Sequence, residues 1–266
     1  MSFSIDGKSV IVTGGANGIG LAIGRHFADR GAKVMFADMD EEGLAHELGD
    51  AEEVENIRYF AGDLRERLTI ANLLSATIDA FDAVDILINA SRQVMPSDPL
   101  DPEDTSVEVL LQQNLMTSLR LTQAVARRMI KQSEGVEEGQ AGSIVNLSSI
   151  AARVTQPELL GYSVSTAALD QMTRSMALAL APHRIRVNSV AFGSVMSESL
   201  KSTLREHQAY RDDIEAHTPL SRIASATELA DAVQFLASEG AGFVTGQIMT
   251  VDGGRTLLDP VTSPAH

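Results

Sequence analysis

The sequence predicts a single doubly wound α/β domain, with a mainly parallel sheet of about seven strands and helices on both faces. Short runs rich in Val, Ile and Leu alternate along the chain with longer amphipathic segments. These runs are nearly continuous in apolar residues, which is typical of strands covered on both faces. No shift in composition interrupts residues 1–258, so we expect one domain there and a tail at 259–266.

The strands are predicted from the unbroken apolar runs, and helices from the amphipathic segments between them. A helix is expected at 21–30 and another at 198–208. The polar, Gly-rich stretch 133–142 is predicted as a loop, and 194–219 as a segment that covers a ligand. The six predicted strands are 9–13, 33–37, 85–89, 143–147, 186–191 and 247–251.

The composition argues against several classes of protein. The chain of 266 residues carries a formal net charge of -15, so we expect no nucleic-acid partner. It has no cysteine, which excludes disulfides, thiolate metal sites and a cysteine nucleophile. No apolar run approaches the roughly 20 residues that span a bilayer, and no signal-peptide pattern is visible, so we expect a cytoplasmic protein without membrane partners.

We also expect no metal site, because the histidines show no metal-ligand spacing. The histidines predicted to lie on the surface are His46, His183, His207 and His217.

The first predicted strand runs into the glycine-rich turn Thr13-Gly14-Gly15-Ala16-Asn17-Gly18-Ile19-Gly20, and an apolar helical pattern follows. Glycines permit a tight turn and close approach of the backbone to a pyrophosphate, while the helix amino terminus offers N–H groups and a partial positive charge. The alternative is a turn that only needs positive φ. The sequence predicts a Rossmann-type dinucleotide site that uses Gly14, Asn17, Gly18, Ile19 and Gly20.

The second predicted strand is followed by Asp38. An acidic residue at this place accepts hydrogen bonds from the adenosine ribose and repels a 2′-phosphate. Neither Ala16 nor Asn17 offers a cation to a phosphate. We therefore expect NAD rather than NADP; the alternative is that Asp38 caps the next helix.

Further motifs follow along the chain. Asn89-Ala90-Ser91-Arg92 comes after a predicted strand, and Ser149 precedes Tyr162 by thirteen residues. Asp63-Leu64, Phe192-Gly193-Ser194-Val195-Met196-Ser197 and Val251-Asp252-Gly253-Gly254 complete the series. Together with the glycine-rich turn, these motifs resemble those of the classical short-chain dehydrogenase/reductase family over nearly the whole chain.

The resemblance implies an NAD-dependent oxidoreductase that interconverts a secondary alcohol and a carbonyl by hydride transfer. It implies that Tyr162 is the acid/base, that Ser149 stabilises the substrate oxygen and that Asn114 relays protons. A local helix kink is the alternative reading of Asn114. A small-residue helix at 167–181 suggests, by the same resemblance, a homotetramer or homodimer. Further cofactor contacts are implied for Asp63, Leu64, Asn89, Tyr162, Thr166, Val195 and Ser197.

One departure from the family concerns the residue four positions after Tyr162. The family has Lys there, which binds the nicotinamide ribose and lowers the pKa of the Tyr, whereas this chain has Thr166. Our hypothesis is that Arg92 or Arg153 partly replaces that charge; equally, both cations are solvated or bind substrate. The rival function is a catalytically impaired NAD-binding protein, a sensor or partner subunit, and a lyase or isomerase is a smaller alternative.

The substrate is not fixed by the sequence. A polyol or sugar, a hydroxy acid and a hydrophobic ketone all stay open, because the predicted lining mixes polar and apolar residues. That lining is the segment 194–219 together with Arg92, Met95, Arg153, Gln156 and Met196.

Overall fold

The centre of the protein is a parallel sheet of seven strands with helices on both faces, which confirms the predicted fold class. The computed structural model describes residues 3–49 and 55–259. The strands in these residues are β1 (Ser9–Thr13), β2 (Lys33–Asp38), β3 (Ile57–Ala61), β4 (Ile86–Asn89), β5 (Gly142–Ser149), β6 (Ile185–Phe192), β7 (Val195–Met196), β8 (Ala224–Ser225) and β9 (Ile248–Val251). The helices are α1 (Gly18–Ala28), α2 (Glu41–Leu48), α3 (Arg67–Phe81), α4 (Ser106–Leu110), α5 (Thr117–Gln132), α6 (Leu160–Leu180), α7 (Glu198–Glu206), α8 (Gln208–Ala216) and α9 (Ala226–Ala237).

The strand order places a switch in direction beside β1. The order is β3-β2-β1-β4-β5-β6-β9, and neighbouring strands are parallel. Val12 of β1 aligns with Phe36 on one side and with Ile88 on the other. In open α/β sheets, ligands bind outside the carboxyl ends of the strands at such a switch point. The topology therefore directs attention to the ends of β1 and β4.

Two hydrophobic clusters cover the two faces of the sheet. On one face Phe27 of α1 and Val233 of α9 pack over the strands, and on the other Leu73 of α3 and Leu121 of α5 do so. Each of these side chains is fully buried, and such burial stabilises a fold by about 1.5–3 kcal/mol per side chain. Among the described helices, none combines the length and the apolar character needed to cross a membrane.

A two-strand parallel ribbon and a capping box close off the segment between β7 and α9. Val195 of β7 pairs with Ala224 of β8. Ser225 then caps α9: its Oγ accepts the N–H of Glu228 at 3.3 Å, while Glu228 accepts the N–H of Ser225 at 2.9 Å. The bond from Arg222 to Glu228, together with these contacts, lowers the pKa of Glu228 to about 2.

Several element boundaries differ from those predicted. The helix expected at 21–30 is Gly18–Ala28, because Gly18 and Gly20 join its first turn and Gly31, at φ 83°, lies beyond its end. The helix expected at 198–208 is two helices, with His207 between them. β5 and β6 extend past the predicted 143–147 and 186–191, since their last residues are polar or aromatic rather than aliphatic. β3 was absent from the predicted runs because it is a half-buried edge strand interrupted by Arg58.

Candidate active site

The glycine-rich turn between β1 and α1 depends on glycines for two physical reasons. Gly14 and Gly18 have φ of 69° and 55°, in the left-handed region that favours glycine. A Cβ on Gly20 would lie 2.1 Å from the carbonyl oxygen of Gly14, so only glycine permits this approach. A Cβ on Gly18 would have no atom within 4 Å. The turn is thus closely packed inside and open at Gly18.

The open side of the turn lies at the amino terminus of α1. Asn17 is the N-cap residue, and its side chain makes no capping hydrogen bond. The first turn of α1 contains no acidic residue. The first N–H groups of a helix have no partner within the helix, and they carry a partial positive charge. The predicted residues Asn17, Gly18 and Ile19 therefore fit the pyrophosphate of a dinucleotide.

Asp38, at the end of β2, contacts this turn directly. Its Oδ2 accepts the N–H of Ala16 at 3.1 Å, and its Oδ1 accepts the N–H of Asp40 at 3.1 Å. The side chain that caps α2 is Asp40, which accepts the N–H of Gly43 at 2.9 Å. The alternative that Asp38 caps this helix is therefore wrong. Each carboxylate oxygen of Asp38 keeps acceptor capacity for a further donor.

The predicted pair Asp63 and Leu64 lies after β3. Asp63 accepts hydrogen bonds from the guanidinium of Arg65 at 2.6 to 2.9 Å, and this bond lowers the pKa of Asp63. Leu64 is buried and belongs to the hydrophobic cluster with α3 and α5. The pair thus anchors the chain between β3 and α3, where the end of β3 lies next to the end of β2.

The side chain of Asn89, at the end of β4, is turned into the protein. Its Nδ2 donates to Asn146 Oδ1 at 2.8 Å and to Thr122 Oγ1 at 3.1 Å. Asn146 in turn donates to Thr173 Oγ1 at 2.8 Å. All four residues are buried. Asn89 therefore ties β4 to β5, α5 and α6 by its side chain, and any contact with a cofactor falls to its backbone.

A cavity of about 980 Å³ opens at the carboxyl edge of the sheet. Ser149 of β5, Phe192 of β6 and Tyr162 of α6 line it together with Arg92. Arg92 follows Ala90 and Ser91, whose backbone atoms lie 3.0 to 3.1 Å from a Cβ built on Gly14. The cavity and the glycine-rich turn are thus adjacent. Its apolar wall includes Val94, Ile150, Val154, Leu159, Leu200 and Leu258.

Ser149 and Tyr162 are buried, at 7% and 4% exposure, yet both reach the cavity. Ser149 Oγ accepts the N–H of Ala151 at 3.1 Å, which leaves its own hydrogen available to another acceptor. The thirteen-residue spacing seen in the sequence therefore brings two hydroxyl groups to one cavity from a strand end and a helix start.

The guanidinium of Arg92 contacts Tyr162. Arg92 Nη1 donates a hydrogen bond to Tyr162 Oη at 2.7 Å. The same guanidinium lies over the ring of Phe192, with its central carbon 4.4 Å from the ring centroid. Arg153, the other cation considered from the sequence, donates instead to Thr250 Oγ1 at 2.7 Å. Of the two, Arg92 is the one that reaches the tyrosine.

Thr166 is satisfied within its own helix. Its Oγ1 donates to the carbonyl oxygens of Tyr162 and Ser163, at 2.8 and 3.2 Å. The residue is 3% exposed. The hydroxyl hydrogen of Thr166 is thus used inside α6, and its short side chain does not line the cavity.

Asn114 lies in a π-helical turn, Leu111–Met116, that separates α4 from α5. Its Oδ1 accepts the N–H of Gln93 at 2.8 Å, and its Nδ2 donates to Gln93 O at 2.9 Å and to Ser165 Oγ at 3.1 Å. The helix irregularity considered as the alternative is therefore present. The π-helical turn directs the buried amide of Asn114 to Gln93, the residue that follows Arg92. One lone pair of Asn114 Oδ1 is left to accept a hydrogen bond from a water in a proton relay.

The predicted substrate-lining residues divide into two groups. Gln156, Val195 and Ser197 line the cavity, whereas Met95, Arg153 and Met196 do not. Met196 does not line the cavity because side chains alternate along β7, and Val195 is the one turned inward. His217, which falls in the predicted segment 194–219 and was also predicted to lie on the surface, is exposed and lines the cavity. Residues that line the cavity without having been predicted include Thr155, Arg255 and Asp259. Arg255 and Asp259 are far in sequence from Ser149 and Tyr162, which gave no signal of this, whereas Thr155 lies between those two residues in the sequence.

Two further observations concern metal ligands and other cavities. In residues 3–49 and 55–259, no group of three or more His, Cys, Asp or Glu side chains is arranged to hold a metal ion. A second cavity, of about 750 Å³, lies near the amino ends of β5 and β6, beside Arg184 and Phe243. It contains none of the predicted site residues.

Comparisons with known proteins agree with this geometry. A family model described as enoyl-(acyl carrier protein) reductase matches residues 14–256. Glucose 1-dehydrogenase of Gluconobacter oxydans is 32% identical over 94% of this chain and 92% of its own length. The 7alpha-hydroxysteroid dehydrogenase of Escherichia coli is 30% identical over 94% of each chain. A solved structure of 7alpha-hydroxysteroid dehydrogenase, complexed with NADH and 7-oxo glycochenodeoxycholic acid, has a TM-score of 0.86 at 30% identity and covers 95% of this chain and 96% of its own.

Proposed function

The chain belongs to the classical short-chain dehydrogenase/reductase family, and from this we propose that it is an NAD(H)-dependent oxidoreductase. It interconverts a secondary alcohol and a carbonyl compound by hydride transfer. The observation that carries the proposal is the convergence of Ser149 and Tyr162 on one cavity beside the glycine-rich turn. When bound, the nicotinamide cofactor accepts or supplies the hydride.

The cofactor is held by the turn and by the end of β2. Backbone N–H groups at the start of α1 bind the pyrophosphate, and Asp38 accepts hydrogen bonds from the adenosine ribose. The carboxylate of Asp38 also repels a 2′-phosphate, which favours NAD over NADP. Asp63, Leu64 and the backbone of Asn89 border this site. The NADH in the similar solved structure supports a nicotinamide cofactor.

Two hydroxyl groups act on the substrate oxygen. In the reductive direction Tyr162 gives its proton to that oxygen, while the hydroxyl of Ser149 donates a hydrogen bond to it. The bond that Ser149 accepts from Ala151 fixes its oxygen and leaves its hydrogen for the substrate. Asn114 is linked to Tyr162 through Ser165, and we propose that it supports reprotonation of Tyr162 through water at its Oδ1.

The presence of Thr166 in place of the family lysine is compatible with catalysis. A chain without catalytic function gains nothing from a cation at the hydroxyl of Tyr162, and the contact with Arg92 supplies one. This contact favours an enzyme over an impaired NAD-binding sensor or partner subunit.

The test is a pair of measurements on wild type and Tyr162→Phe. Calorimetric titration with NADH and NADPH measures cofactor affinity, and NADH absorbance measures turnover of alcohols and carbonyls. We expect NADH still to bind Tyr162→Phe, because the glycine-rich turn and Asp38 are unchanged. Turnover is expected to fall by about 10²–10⁴-fold, because the proton donor is lost. Tyr59→Phe, on β3 and outside the cavity, is the matched control. Binding of NADH without turnover in wild type would instead identify an NAD-binding sensor.

The substrate panel covers polyols and sugars, hydroxy acids and hydrophobic ketones. The cavity wall combines apolar side chains with Arg92, Gln156 and Arg255, so each class meets complementary groups. We also propose that the protein is a homo-oligomer that associates through α6, where Leu178 is 79% exposed. Light scattering distinguishes a dimer from a tetramer, and a monomer would refute this assembly.

A further inference from the structure

We infer that Arg92 is a catalytic residue, whose guanidinium supplies the positive charge at the hydroxyl of Tyr162. This inference rests on the proposed function and deepens it, because it names the group that makes Tyr162 competent as a base. The cation comes from the loop after β4 rather than from α6, the helix that carries Tyr162.

The contact between the two residues joins a permanent charge to the reacting atom. Arg92 Nη1 is 2.7 Å from Tyr162 Oη, and its guanidinium carries a delocalised positive charge. A charge-assisted hydrogen bond to a phenolate is stronger than one to a neutral hydroxyl. Arg92 therefore stabilises the phenolate form more than the phenol.

The same hydrogen bond orients neutral Tyr162. Because Tyr162 Oη accepts from Arg92, its own hydrogen points elsewhere, and the cavity with Ser149 is the space that Tyr162 lines. A single contact thus serves both directions of the reaction. It directs the phenolic proton to the substrate in reduction and stabilises the phenolate in oxidation.

The guanidinium is held in place from two further sides. The ring of Phe192, itself 2% exposed, lies under it at 4.4 Å. Asn114 bonds both the N–H and the carbonyl of Gln93, the residue that follows Arg92. Arg92 is thus positioned by a buried aromatic ring and by a loop fixed to the π-helical turn.

Other charged groups around Tyr162 have different partners. On the cavity wall, His217 pairs with Asp213 at 3.2 Å, and Arg255 donates to Ser194 Oγ at 3.3 Å. Asp259 also lines the cavity. Behind the wall, Arg153 donates to Thr250 and interacts electrostatically with Asp170 and Asp252. The lysines are placed elsewhere in the fold: Lys8 before β1, Lys33 in β2, Lys131 in α5 and Lys201 in α7.

The reaction balances without any change in Arg92. In oxidation, the hydroxyl proton of the alcohol would pass to the phenolate oxygen of Tyr162, while the carbon that bears this hydroxyl would give up a hydride, for which a bound nicotinamide would be the acceptor. A carbonyl forms, the alcohol is oxidised and NAD⁺ is reduced. Arg92 keeps all its protons and only loses the phenolate as its partner.

The first test measures the pH profile of oxidation in Arg92→Gln. Glutamine keeps a hydrogen-bond donor but removes the charge. We expect the rise of kcat with pH to move up by about one pH unit or more, so that kcat at neutral pH falls at least about tenfold and recovers in alkali. Arg92→Lys restores part of the neutral-pH rate, because it restores charge without the planar stack on Phe192. Arg174→Gln, on an exposed part of α6, removes the same charge and leaves the profile unchanged.

The second test needs no substrate. The chain has three tyrosines and no tryptophan, so the absorbance change of one tyrosine on ionisation is resolved by subtracting the titration of Tyr162→Phe. We expect the Tyr162 absorbance step to occur at lower pH in wild type than in Arg92→Gln. This step is measurable even if every substrate fails, which separates the inference from the proposed function.

Two results overturn the inference. One is a Tyr162 absorbance step at the same pH in wild type and Arg92→Gln. The other is an Arg92→Gln enzyme whose loss is a rise in KM, equal at all pH values, since that identifies Arg92 as a substrate-binding residue only. Circular dichroism of each variant verifies that the fold is retained.

Discussion

The carboxylate of Asp38 accepts the backbone N–H of Ala16 at 3.1 Å, so the end of β2 is fixed to the glycine-rich turn. The acidic group that we expect to select the cofactor is thereby bonded to the turn that we propose as the pyrophosphate site. Its neighbour Asp40 has the same side chain but a separate task, because it caps α2. The two residues form a natural pair for comparison.

Asp38→Asn is expected to weaken the discrimination between NAD and NADP. The amide oxygen still accepts from Ala16, whereas the negative charge that repels a 2′-phosphate is lost. We expect the ratio of NADPH to NADH dissociation constants to fall by about tenfold or more, as calorimetry measures it. Asp40→Asn keeps a competent N-cap and leaves this ratio unchanged. An unaltered ratio in Asp38→Asn would contradict the NAD assignment.

Gly20→Ala is expected to displace the turn. The new Cβ would lie 2.1 Å from the carbonyl oxygen of Gly14, so the backbone must move away from the position that suits a pyrophosphate. We expect NADH affinity to fall by about 100-fold, as titration calorimetry measures it. Gly49→Ala is the control, because a Cβ there has no atom within 4 Å. If NADH bound Gly20→Ala as tightly as wild type, the turn would not be the binding site.

Asp170→Asn is expected to stabilise the protein at neutral pH. Asp170 is 4% exposed, its Oδ1 has no hydrogen-bond partner, and burial raises its pKa. A raised carboxyl pKa means that the stability contributed by the protonated form is lost as pH rises through that pKa. Asparagine is neutral at every pH, so its advantage over Asp170 grows from acid to neutral pH in urea unfolding experiments.

Asp104→Asn is expected to have the opposite effect, a loss of stability at neutral pH. Its carboxylate accepts the N–H groups of Ser106 and Asp98, each at 2.7 Å, and the hydrogen bonds lower its pKa. The stability that this charged form contributes is present at neutral pH and is lost as pH falls through the lowered pKa. Asp104→Asn is therefore less stable than wild type at neutral pH, and the difference shrinks in acid. If Asp170→Asn and Asp104→Asn were both more stable, or both less stable, than wild type at neutral pH, these assignments would be contradicted.

Arg186→Met is expected to destabilise the fold by about 1–3 kcal/mol for each buried carbonyl group that it leaves without a donor. Arg186 is 6% exposed, and its guanidinium donates to the carbonyl oxygens of Leu236 and Ser238 at 2.8 and 2.9 Å. Burial lowers its pKa to about 10. Removal of the guanidinium leaves these buried carbonyl groups at the end of α9 without a donor. Urea unfolding measures the effect.

Arg25→Ala is the matched control for Arg186→Met. Arg25 forms an exposed ion pair with Glu47 at 2.8 Å, and such pairs contribute between about 0 and 1 kcal/mol. An equal loss of stability in the two variants would mean that the buried bonds of Arg186 do not matter.

The parts of the site that the sequence predicted are those that local patterns determine. The turn needs glycine at Gly14 and Gly18 for backbone reasons, and the spacing of Ser149 and Tyr162 follows from one strand end and one helix start. Hydrophobic runs likewise located the five inner strands of the sheet and the edge strand β9. β3, the other edge strand, lacked this signal because Arg58 interrupts its apolar run.

Side-chain direction could not be predicted, because it depends on residues far apart in sequence. Asn89 was predicted at the cofactor, but its amide is directed to Asn146, 57 residues away. The sequence offered Arg92 and Arg153 as equal candidates for the missing charge. Only the position of Phe192, at the end of β6, and the π-helical turn at Asn114 distinguish them.

The ribbon of β7 and β8 brings residues 195 and 224 side by side, and thus joins the two ends of the segment between them. A replacement of residues 197–223 by a different loop leaves both attachment points, the capping box of α9 and all seven strands of the sheet in place. Residues 197–223 can therefore be exchanged as one unit. Because this segment contributes Ser197, Leu200, Ala216 and His217 to the cavity wall, we expect chimaeras cut at these two points to differ in substrate range while the sheet is retained.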